Sequence, residues 1–524
     1  MPRSIVIGGG PTGVAAASAL VAQGSDVLML DAGETVEPDN AARRDRMAAT
    51  APESWNADDV DAIKSPPSRD DTGMIRPFGS DVPFRIPAAA GDWSALGAGI
   101  ALRPSFAKGG LTNGWGASVL PYRDEDLGAW PIRASDLEPH YRAIAAMIEV
   151  AGQAEQLAPL FPAYRGDDHR ALPLSTQAQR LLDRFDARRT EMSALGAFAG
   201  PSWQAIADGC RRCAMCLHGC PYGLIFNAGN TVDRLRASGG FVYRPDAFAT
   251  RFEETADGVR VWTRNAANAV DEVRGDRLFV AAGVLPSALL ILDSLDRPDR
   301  PLTLRDSRHF FLPMLQRWAA DPDPATEPRH TLAQVFVEIV DPRVSAHTIH
   351  VQMYTYHDGF AVDMRKRFGG FAPAFDPVVG RLSRRLIVAQ GFLHSDASPS
   401  LEIVMRRSGG RSRLALVSTD PLQRDPTLAR ARRRVARIAR HVDLVPLMPL
   451  ARVGAPGSSF HCGGTFPMRT HPGDLETDTL GRPSGLSRVH VVDASVFPSI
   501  PATTITFSAM ANAHRIATHA VGGS

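Results

Sequence analysis

The sequence predicts a mixed fold, α/β plus α+β, in which a discontinuous dinucleotide-binding domain carries an inserted substrate domain built mostly of antiparallel sheet. Three observations predict it. The 524-residue chain opens with a strand, a glycine-rich turn, a helix and a second strand. Its middle third changes to alternating strand patterns, and glycine turns with a buried strand return near its end. A parallel-sheet unit that stops and later resumes indicates an inserted domain.

We therefore expect the dinucleotide domain at residues 1–130, 205–300 and 455–524, and the substrate or cap domain at residues 131–204 and 301–454. The composition, 44% hydrophobic and 22% charged, is that of a globular protein large enough for two domains. The net charge of +2 argues against nucleic acid or an anionic membrane as the main partner. There is no apolar run of about 18 residues, so we expect no transmembrane segment.

The opening unit occupies residues 5–34. Two short apolar runs predict buried strands, and an Ala-rich stretch without breakers between them predicts a helix. Because the first strand begins at once, no room is left for a signal peptide, and we expect a cytoplasmic protein that reaches other compartments only through a partner. The predicted elements are Ile5–Ile7, Val14–Gln23 and Val27–Leu30.

The turn of this unit has the spacing Gly8-x-Gly10-x-x-Gly13. Gly8 suits the tight turn, Gly10 lets a pyrophosphate approach the backbone, and Gly13 lets the helix pack closely on the strand. The positive end of the helix faces the phosphates. Asp31, at the end of the second strand, stands where a carboxylate accepts hydrogen bonds from a ribose. These residues predict an adenine dinucleotide site.

The elements that follow are read from their periodicity. Residues 35–75 predict an exposed excursion, and Lys108–Gly116 is a second loop whose four glycines suit backbone pressed against a flat ligand. Helical spacing predicts helices at Asp136–Glu149, Thr176–Arg189, Thr427–His441 and Thr506–His519. Strands are predicted at Val259–Thr263, Arg277–Val280, Gln334–Val340, Thr348–Tyr356, Leu386–His394, Leu401–Arg406, Arg413–Ser418 and Val489–Val492.

Four of the five cysteines lie within eleven residues, at Cys210, Cys213, Cys216 and Cys220. The spacing C-x2-C-x2-C-x3-C-P is that of bacterial ferredoxins and favours an iron–sulfur cluster. Structural zinc and a metal-free loop are the alternatives, although zinc ligands are usually held farther apart. The cluster is three-iron (3Fe-4S), or four-iron (4Fe-4S) with Cys220 or the distant Cys462 completing it.

The C-terminal part carries the predicted reaction centre, Ser459-Phe-His461-Cys462-Gly-Gly-Thr465. Oxidation of an alcohol carbon requires a base for the hydroxyl proton, and an imidazole suits that role. Taken alone, His461 in this Gly-rich turn is more simply read as a core histidine whose hydrogen bonds are satisfied; the need for a base is what favours the catalytic role. Asp493, between a predicted buried strand and a turn, suits either a helix N-cap or a phosphate or ribityl contact.

A series of motifs follows the opening fingerprint in a fixed order: GGLTNGWG, RLFVAAGVLPSALLILDS, HCGGTFPM and RVHVVDASVFPSIP. Together they resemble the glucose–methanol–choline (GMC) oxidoreductases, a family of FAD enzymes. The motifs extend from residue 5 to residue 514, whereas the middle domain is similar in architecture only. The cysteine segment resembles the iron–sulfur catalytic subunits of FAD-dependent glucose and fructose dehydrogenases and a segment of long-chain alcohol oxidases.

The resemblance implies FAD, rather than NAD, in a discontinuous Rossmann-type domain. It implies that Gly109–Trp115 lies against the isoalloxazine, that Asp493 and Ala494 lie near the pyrophosphate and ribityl, and that His461 is the catalytic histidine. The cofactor contacts it implies come from both glycine turns, the strand ends and the final helix. They are Gly8, Gly10, Thr12, Gly13, Asp31, Gly109, Gly110, Asn113, Gly114, Trp115, Ala282, Gly283, Asp493, Ala494 and Thr506.

One departure from the family concerns its second catalytic His or Asn, which usually precedes the final helix. Here Pro501 is followed by Ala-Thr-Thr-Ile-Thr, so only Thr503 or Thr504 could supply a hydroxyl. Hydroxyls are poor bases, and a partner could instead come from the substrate domain. The substrate domain offers several candidates on or beside predicted strands: His350, Tyr354, Tyr356, His357 and His394. For each of them, a structural role in the core or on a sheet face is the simpler interpretation.

The leading hypothesis is an FAD-dependent dehydrogenase that oxidises the CH–OH group of a sugar, polyol or secondary-metabolite alcohol, with His461 as base. Electrons would leave through the cysteine-bound cluster to an electron-acceptor protein. The alternatives are a lyase or isomerase without net redox chemistry, which the missing second His or Asn motivates, and a flavin-binding electron-transfer subunit whose active site has decayed.

Overall fold

The computed structural model describes residues 3–64, 75–93, 96–128, 130–152, 157–162, 164, 171–368, 372–408, 411–419 and 425–522. Within these ranges the chain forms parallel and antiparallel sheets with helices packed against them, so the predicted fold class is confirmed. The helices are α1 (Pro11–Ala22), α2 (Pro38–Ala48), α3 (Ala57–Lys64), α4 (Asp124–Leu127), α5 (Ala134–Ile148), α6 (Thr176–Ala187), α7 (Arg189–Ala194), α8 (Ala228–Ala237), α9 (Val284–Ser294), α10 (Asp358–Phe368), α11 (Ala372–Ser383), α12 (Thr427–His441) and α13 (Ile505–Val521).

A five-stranded parallel sheet draws its strands from both ends of the chain. Its strands, across the sheet, are β21 (Val489–Val491), β10 (Arg277–Val280), β1 (Arg3–Ile7), β2 (Asp26–Leu30) and β6 (Phe241–Arg244). Strands buried on both faces read as continuous apolar runs, which is why β1 and β2 were recognisable from sequence. Because the strands are parallel, the residues after β1, β2, β10 and β21 meet at one edge, where α/β folds bind ligands.

A seven-stranded sheet in which each described pairing is antiparallel forms the second layer. Its path is β18 (Leu444–Pro446), β12 (His309–Gln316), β15 (Leu386–Phe392), β14 (Ile349–Tyr354), β13 (Val335–Ile339) and β4 (Ala197–Pro201), with β19 (Arg452–Val453) also paired to β12. One face packs on α6 and α12, burying residues such as Leu312, Ile387 and Val435. The other face turns toward the parallel sheet.

The strands predicted near residues 401–418 form a separate antiparallel sheet rather than part of the seven-stranded one. It comprises β17 (Arg411–Thr419), β16 (Ser400–Ser408), β11 (Pro301–Asp306) and β20 (Cys462–Gly463). Its apolar residues join the same core as the parallel sheet. Smaller sheets contain β7 (Phe248–Thr255), β8 (Gly258–Arg264) and β9 (Val270–Gly275), and β3 (Val150–Ala151) with β5 (Gln204–Ala205). The domain boundaries given above stay a prediction.

Two helices, α2 and α3, lie in the stretch that the sequence predicted to be an exposed excursion. That prediction was wrong there, because Met47 and Ile63 are buried and pack against Met215 in the cysteine segment. Each short helix fully buries only one apolar residue, and that is too weak a pattern to detect. Residues 65–74 of the stretch lie outside the described residues. Among the described helices, none combines the length and the apolar character needed to cross a bilayer.

Candidate active site

A single cavity of about 2330 Å³ runs from the opening glycine turn to the C-terminal histidine loop. Gly10, Asp31, Gly110 and His461 all line it. Pockets for one small molecule usually enclose about 300–1,000 Å³, so this cavity has room for a large cofactor and a substrate together. The two ends of the chain therefore meet around one elongated space.

The opening turn has the geometry that its glycines predict. Gly8 has φ +103°, and a Cβ there would clash with the carbonyl oxygen of Ala281 on the neighbouring strand end. Gly13 is buried in α1, against the turn, and does not line the cavity, whereas Thr12 does. The backbone of this turn can therefore approach a ligand without a side chain between them.

The second glycine loop touches the first. A Cβ on Gly110, which has φ +58°, would lie 3.1 Å from the Cα of Gly10. Asn113 holds the loop in place with three hydrogen bonds. Its Nδ2 donates to the carbonyls of Lys108 (2.9 Å) and Gly110 (2.8 Å), and its Oδ1 accepts from Asn227 Nδ2 at 3.0 Å. Asn113 and Gly109 do not line the cavity, but Gly110, Gly114 and Trp115 do.

Three helix N-termini open onto the cavity. The N-cap residues of α1, α9 and α13 are Gly10, Gly283 and Thr504, and all three line it. None of these three helices has a side-chain cap. Uncapped N–H groups and the positive end of the helix dipole favour a bound anion. This convergence suits the pyrophosphate of a dinucleotide.

Asp31 ends β2 at the cavity wall and is 7% exposed. Its Oδ2 accepts a hydrogen bond from the hydroxyl of Tyr243 at 3.0 Å. Burial raises the pKa of the Asp31 carboxyl to about 6, although the Gly9 N–H and the Tyr243 hydroxyl both favour the ionised form. Tyr243, on β6, is a contact that the sequence analysis missed.

Asp493 holds the C-terminal segment to the start of α9. Its Oδ2 accepts from the Gly283 N–H (2.9 Å) and the Ser287 hydroxyl (2.6 Å), and its Oδ1 accepts from the Ser495 N–H at 2.9 Å. The N-cap role considered for this residue is therefore present. Asp493 also lines the cavity, as do Ala282, Gly283, Ala494 and Thr506.

His461 reaches the cavity from the loop before β20. Its ring stacks on Phe392 with a centroid distance of 4.9 Å, and its buried Nδ1 has no hydrogen-bond partner. Burial, together with the nearby His350 and His309, lowers the pKa of His461 to about 3. The imidazole is thus neutral at neutral pH.

Asp306 organises the loop that carries His461. Its carboxylate accepts from the Gly457 N–H (2.8 Å) and the Ser459 hydroxyl (2.8 Å), and the Cys462 thiol lies 3.3 Å away. Burial raises the pKa of Asp306. The sequence analysis missed this residue, because its partners lie about 150 positions later in the chain and no local pattern marks them.

The two threonines before α13 differ in their relation to the cavity. Thr503 does not line the cavity, and its buried hydroxyl oxygen has no hydrogen-bond partner. Thr504 lines the cavity, but its hydroxyl accepts a hydrogen bond from the Leu120 N–H at 2.8 Å. Neither position carries a His or an Asn.

Of the substrate-domain candidates, Tyr354 and His357 line the cavity, whereas Tyr356 and His394 do not. His350 is fully buried and does not line the cavity; it lies on the same face of β14 as Gln352, with its Nδ1 2.6 Å from Glu338 Oε1. His394 hydrogen-bonds the Asp126 carbonyl and the Asp396 N–H. His309 lines the cavity and was missed by the sequence analysis.

The four clustered cysteines are partly exposed and unpaired. Every pair among them is close enough for a mutual electrostatic effect, and burial raises the pKa of Cys213 to about 11 and of Cys216 to about 12. Among the described residues, the group whose ligand atoms all lie within 4.8 Å is His347, His394 and Asp396, not these cysteines. Leu217 and His218, within the segment, line the cavity.

Comparisons with known proteins agree with this architecture. Residues 427–513 match a family model described as GMC oxidoreductase. No curated protein matches the chain by sequence. The crystal structure of pyridoxine 4-oxidase from Mesorbium loti matches with a TM-score of 0.61 and 16% identity, covering 99% of each chain. Residues 427–513 are therefore similar in sequence to GMC oxidoreductases, and the chain shares its fold with pyridoxine 4-oxidase.

Proposed function

We propose that the protein is an FAD-dependent oxidoreductase that oxidises a CH–OH group, with His461 as the base for the hydroxyl proton. The family match supports an FAD enzyme acting on alcohols. The observation that carries the proposal is the single cavity joining the glycine turns to an imidazole whose buried Nδ1 has no hydrogen-bond partner.

The residues of the cavity fit FAD. Gly8, Gly10 and the N-terminus of α1 leave bare backbone for a pyrophosphate, and Asp31 offers a carboxylate oxygen to a ribose. The second glycine loop offers a flat backbone wall to a ring system. The remaining proposed contacts are Thr12, Gly13, Gly109, Gly110, Asn113, Gly114, Trp115, Ala282, Gly283, Asp493, Ala494 and Thr506, of which Gly13, Gly109 and Asn113 support the wall from behind.

The chemistry divides between cofactor and protein. FAD bound along the cavity would accept the hydride from the carbinol carbon. His461 accepts the hydroxyl proton at an imidazole nitrogen, so the alcohol loses two hydrogens and becomes a carbonyl compound. Because burial keeps the imidazole neutral, His461 is in the form that can act as a base at neutral pH.

We further propose that Cys210, Cys213, Cys216 and Cys220 hold an iron–sulfur cluster. The ligands of an iron–sulfur cluster bind different iron atoms, so they lie farther apart than the ligands of a single metal ion. The four thiols affect one another's pKa but do not form a group whose ligand atoms all lie within 4.8 Å, and both observations are compatible with a cluster. A bound cluster would supply one-electron transfer. Leu217 and His218 bring this segment to the cavity wall, and an electron-acceptor protein would then be the partner.

One experiment tests these proposals. Protein purified without oxygen is assayed for FAD, iron and acid-labile sulfide, and then mixed anaerobically with a panel of alcohols. We expect bleaching of the flavin absorbance and iron with sulfide in the preparation. If product forms without flavin bleaching, the lyase or isomerase alternative replaces the redox function. If iron and sulfide are absent, the cluster proposal is wrong.

A further inference from the structure

The wall opposite the glycine loops is one face of the seven-stranded sheet. Side chains alternate along β12, β15 and β14, so every second residue of each strand faces the cavity. The strand register arranges these residues in rows. The rows are His309 and Phe392; Phe311, Gln390 and Gln352; Pro313, Val388 and Tyr354; and Leu315 and Leu386.

The row nearest the proposed base has His309 at one end, and His350 pairs with Phe392 at its other end. Phe392 stacks on His461, and His309 beside it places Nε2 2.9 Å from the Ser458 hydroxyl and Nδ1 3.0 Å from Gln390 Nε2. The next row carries two amides, Gln390 and Gln352. This inner end of the wall can therefore orient one hydroxyl group.

Most polar atoms of these rows already have protein partners. Gln352 Nε2 lies 3.2 Å from His350 Nε2, and Gln352 Oε1 accepts from the Tyr354 hydroxyl at 3.0 Å. The hydroxyls of a sugar or polyol each require a partner of their own, because an unpaired buried polar group is destabilising. The inner rows offer too few free groups for several hydroxyls.

The outer rows are apolar. Val388, Pro313, Leu386 and Leu315 form the sheet side, and the Tyr354 hydroxyl is the polar atom among them. Residues of α10, α11 and the loop after β18 line the cavity with further apolar side chains: Phe360, Met364, Leu382, Leu447 and Leu450. Polar side chains near these residues that also line the cavity include Lys64, whose Nζ lies 3.0 Å from Asp358 at the start of α10, His357, whose ring centroid lies 4.0 Å from that of Phe360, and Asp363.

The spacing of the rows sets the length of the occupant. Residues two apart on a strand are about 7 Å apart, so Val388 lies about 14 Å and Leu386 about 20 Å from Phe392 along β15. A molecule whose hydroxyl lies at His461 must pass the glutamine row before it reaches the apolar rows.

We infer that the substrate is an elongated amphipathic alcohol, whose hydroxyl meets His461 and whose apolar body lies on the Val388 and Leu386 rows, and not a sugar or polyol. The inference rests on the proposed function. Burying apolar surface on these rows favours binding of longer molecules. Each buried methylene contributes about 0.8 kcal/mol, which corresponds to a factor of about four in affinity.

The test uses the FAD-loaded protein and a series of 1-alkanols from butanol to hexadecanol, with glucose and sorbitol for comparison. The rate of anaerobic flavin reduction gives kcat/KM for each. We expect kcat/KM to rise about fourfold per methylene once the chain passes the glutamine row, and to exceed the values for both sugars. A flat series, or faster reduction by glucose or sorbitol, overturns the inference.

A binding measurement separates failure of the inference from failure of the proposed function. 2-Methyl-2-decanol has no hydrogen on its carbinol carbon and cannot be oxidised, so its binding is read from the flavin absorbance shift. If no alcohol reduces the flavin but this compound binds tightly while sorbitol does not, the redox function fails and the inference stands. If neither binds, the inference fails.

A variant pair adds a structural control. Val388→Asn places an amide in the apolar rows. It should reduce the increase in kcat/KM between decanol and hexadecanol at least tenfold. Val417→Asn makes the same change on a strand where the valine is 60% exposed, and should leave the series unchanged. FAD content and thermal melting show whether each variant is folded, and the wild-type series decides the inference if Val388→Asn does not fold.

Discussion

The ring of His461 lies 4.9 Å from the ring of Phe392, nearly parallel to it, and its Nδ1 is buried without a partner. We predict that His461→Ala slows flavin reduction by alcohol about 10²- to 10⁴-fold, the usual contribution of a positioned base. FAD should remain bound. His471→Ala, which changes an exposed histidine, is the control in stopped-flow reduction. Equal rates in both variants would remove His461 from the mechanism.

The pH dependence of the same step follows from the surroundings of His461. Burial lowers its pKa to about 3, and only the neutral form accepts a proton. The rate of flavin reduction should therefore not fall as the pH drops from 8 to 5. An ordinary histidine, with a pKa of about 6.5, would cause a decline over that range. A tenfold decline centred near pH 6.5 in wild type would contradict this burial effect.

Asp31 should contribute to FAD affinity. Replacing it by Ala removes a charged acceptor, whose hydrogen bonds are worth about 1.5–3 kcal/mol, and should raise the Kd of FAD about 10- to 100-fold. Asp26→Ala, at the exposed start of the same strand, is the matched control. Fluorescence titration of the FAD-free protein measures both. Unchanged affinity in Asp31→Ala would show that this carboxylate makes no ribose contact.

The cysteine proposal predicts different results for two serine variants. Cys213→Ser should lose iron, because Cys213 belongs to the group of four mutually coupled thiols. Cys462→Ser should keep its iron, because this buried cysteine contacts Asp306 in the histidine loop. Iron and sulfide per FAD are measured in anaerobic preparations. Loss of iron in Cys462→Ser would instead make Cys462 the ligand that completes the cluster.

Stability should fall in mild acid. Burial lowers the pKa of seven histidines to between about 3 and 4. Below pH 6.5 the unfolded chain therefore binds protons that the folded chain does not. The free energy of unfolding consequently decreases as the pH falls. Buried carboxyls oppose this, because Asp31, Asp306 and Asp493 have raised pKa values, but they are fewer. The histidines are His140, His309, His330, His357, His394, His461 and His490.

Urea unfolding of the FAD-loaded protein at pH 7.5, 6 and 5 measures this effect. We expect a midpoint that decreases at each step. His330→Gln should reduce the decrease, because His330 is buried and neither ring nitrogen has a partner. His471→Gln, at an exposed site, should not change it. A midpoint independent of pH would mean that the histidines titrate normally in the folded chain.

The sequence predicted those parts of the site that depend on neighbours in the chain. The opening turn, Gly10 and Asp31, and the loop with His461 all have local patterns, because the required backbone shape is encoded within a few residues. Asn113 and Thr503 show the limit of motif reasoning, since both lie in the right segments and yet do not face the cavity.

What the sequence could not predict depends on contacts between distant segments. Asp306 acts on a loop about 150 residues later, and the rows that include Gln390 arise only from the register of three strands. A one-residue change of register would send each of these side chains to the opposite face. No pattern within β12 or β15 determines which residues of the two strands lie side by side.

The parallel sheet has a consequence for biosynthesis. β21 pairs with β10, and α13 packs on α1, only after residues 489–521 have left the ribosome. At about 5–20 residues per second, roughly 25–100 s of translation separate the first strand from its last companion. Throughout that interval the nascent chain exposes apolar surface that nothing yet covers, so efficient production should depend on chaperones that shield it.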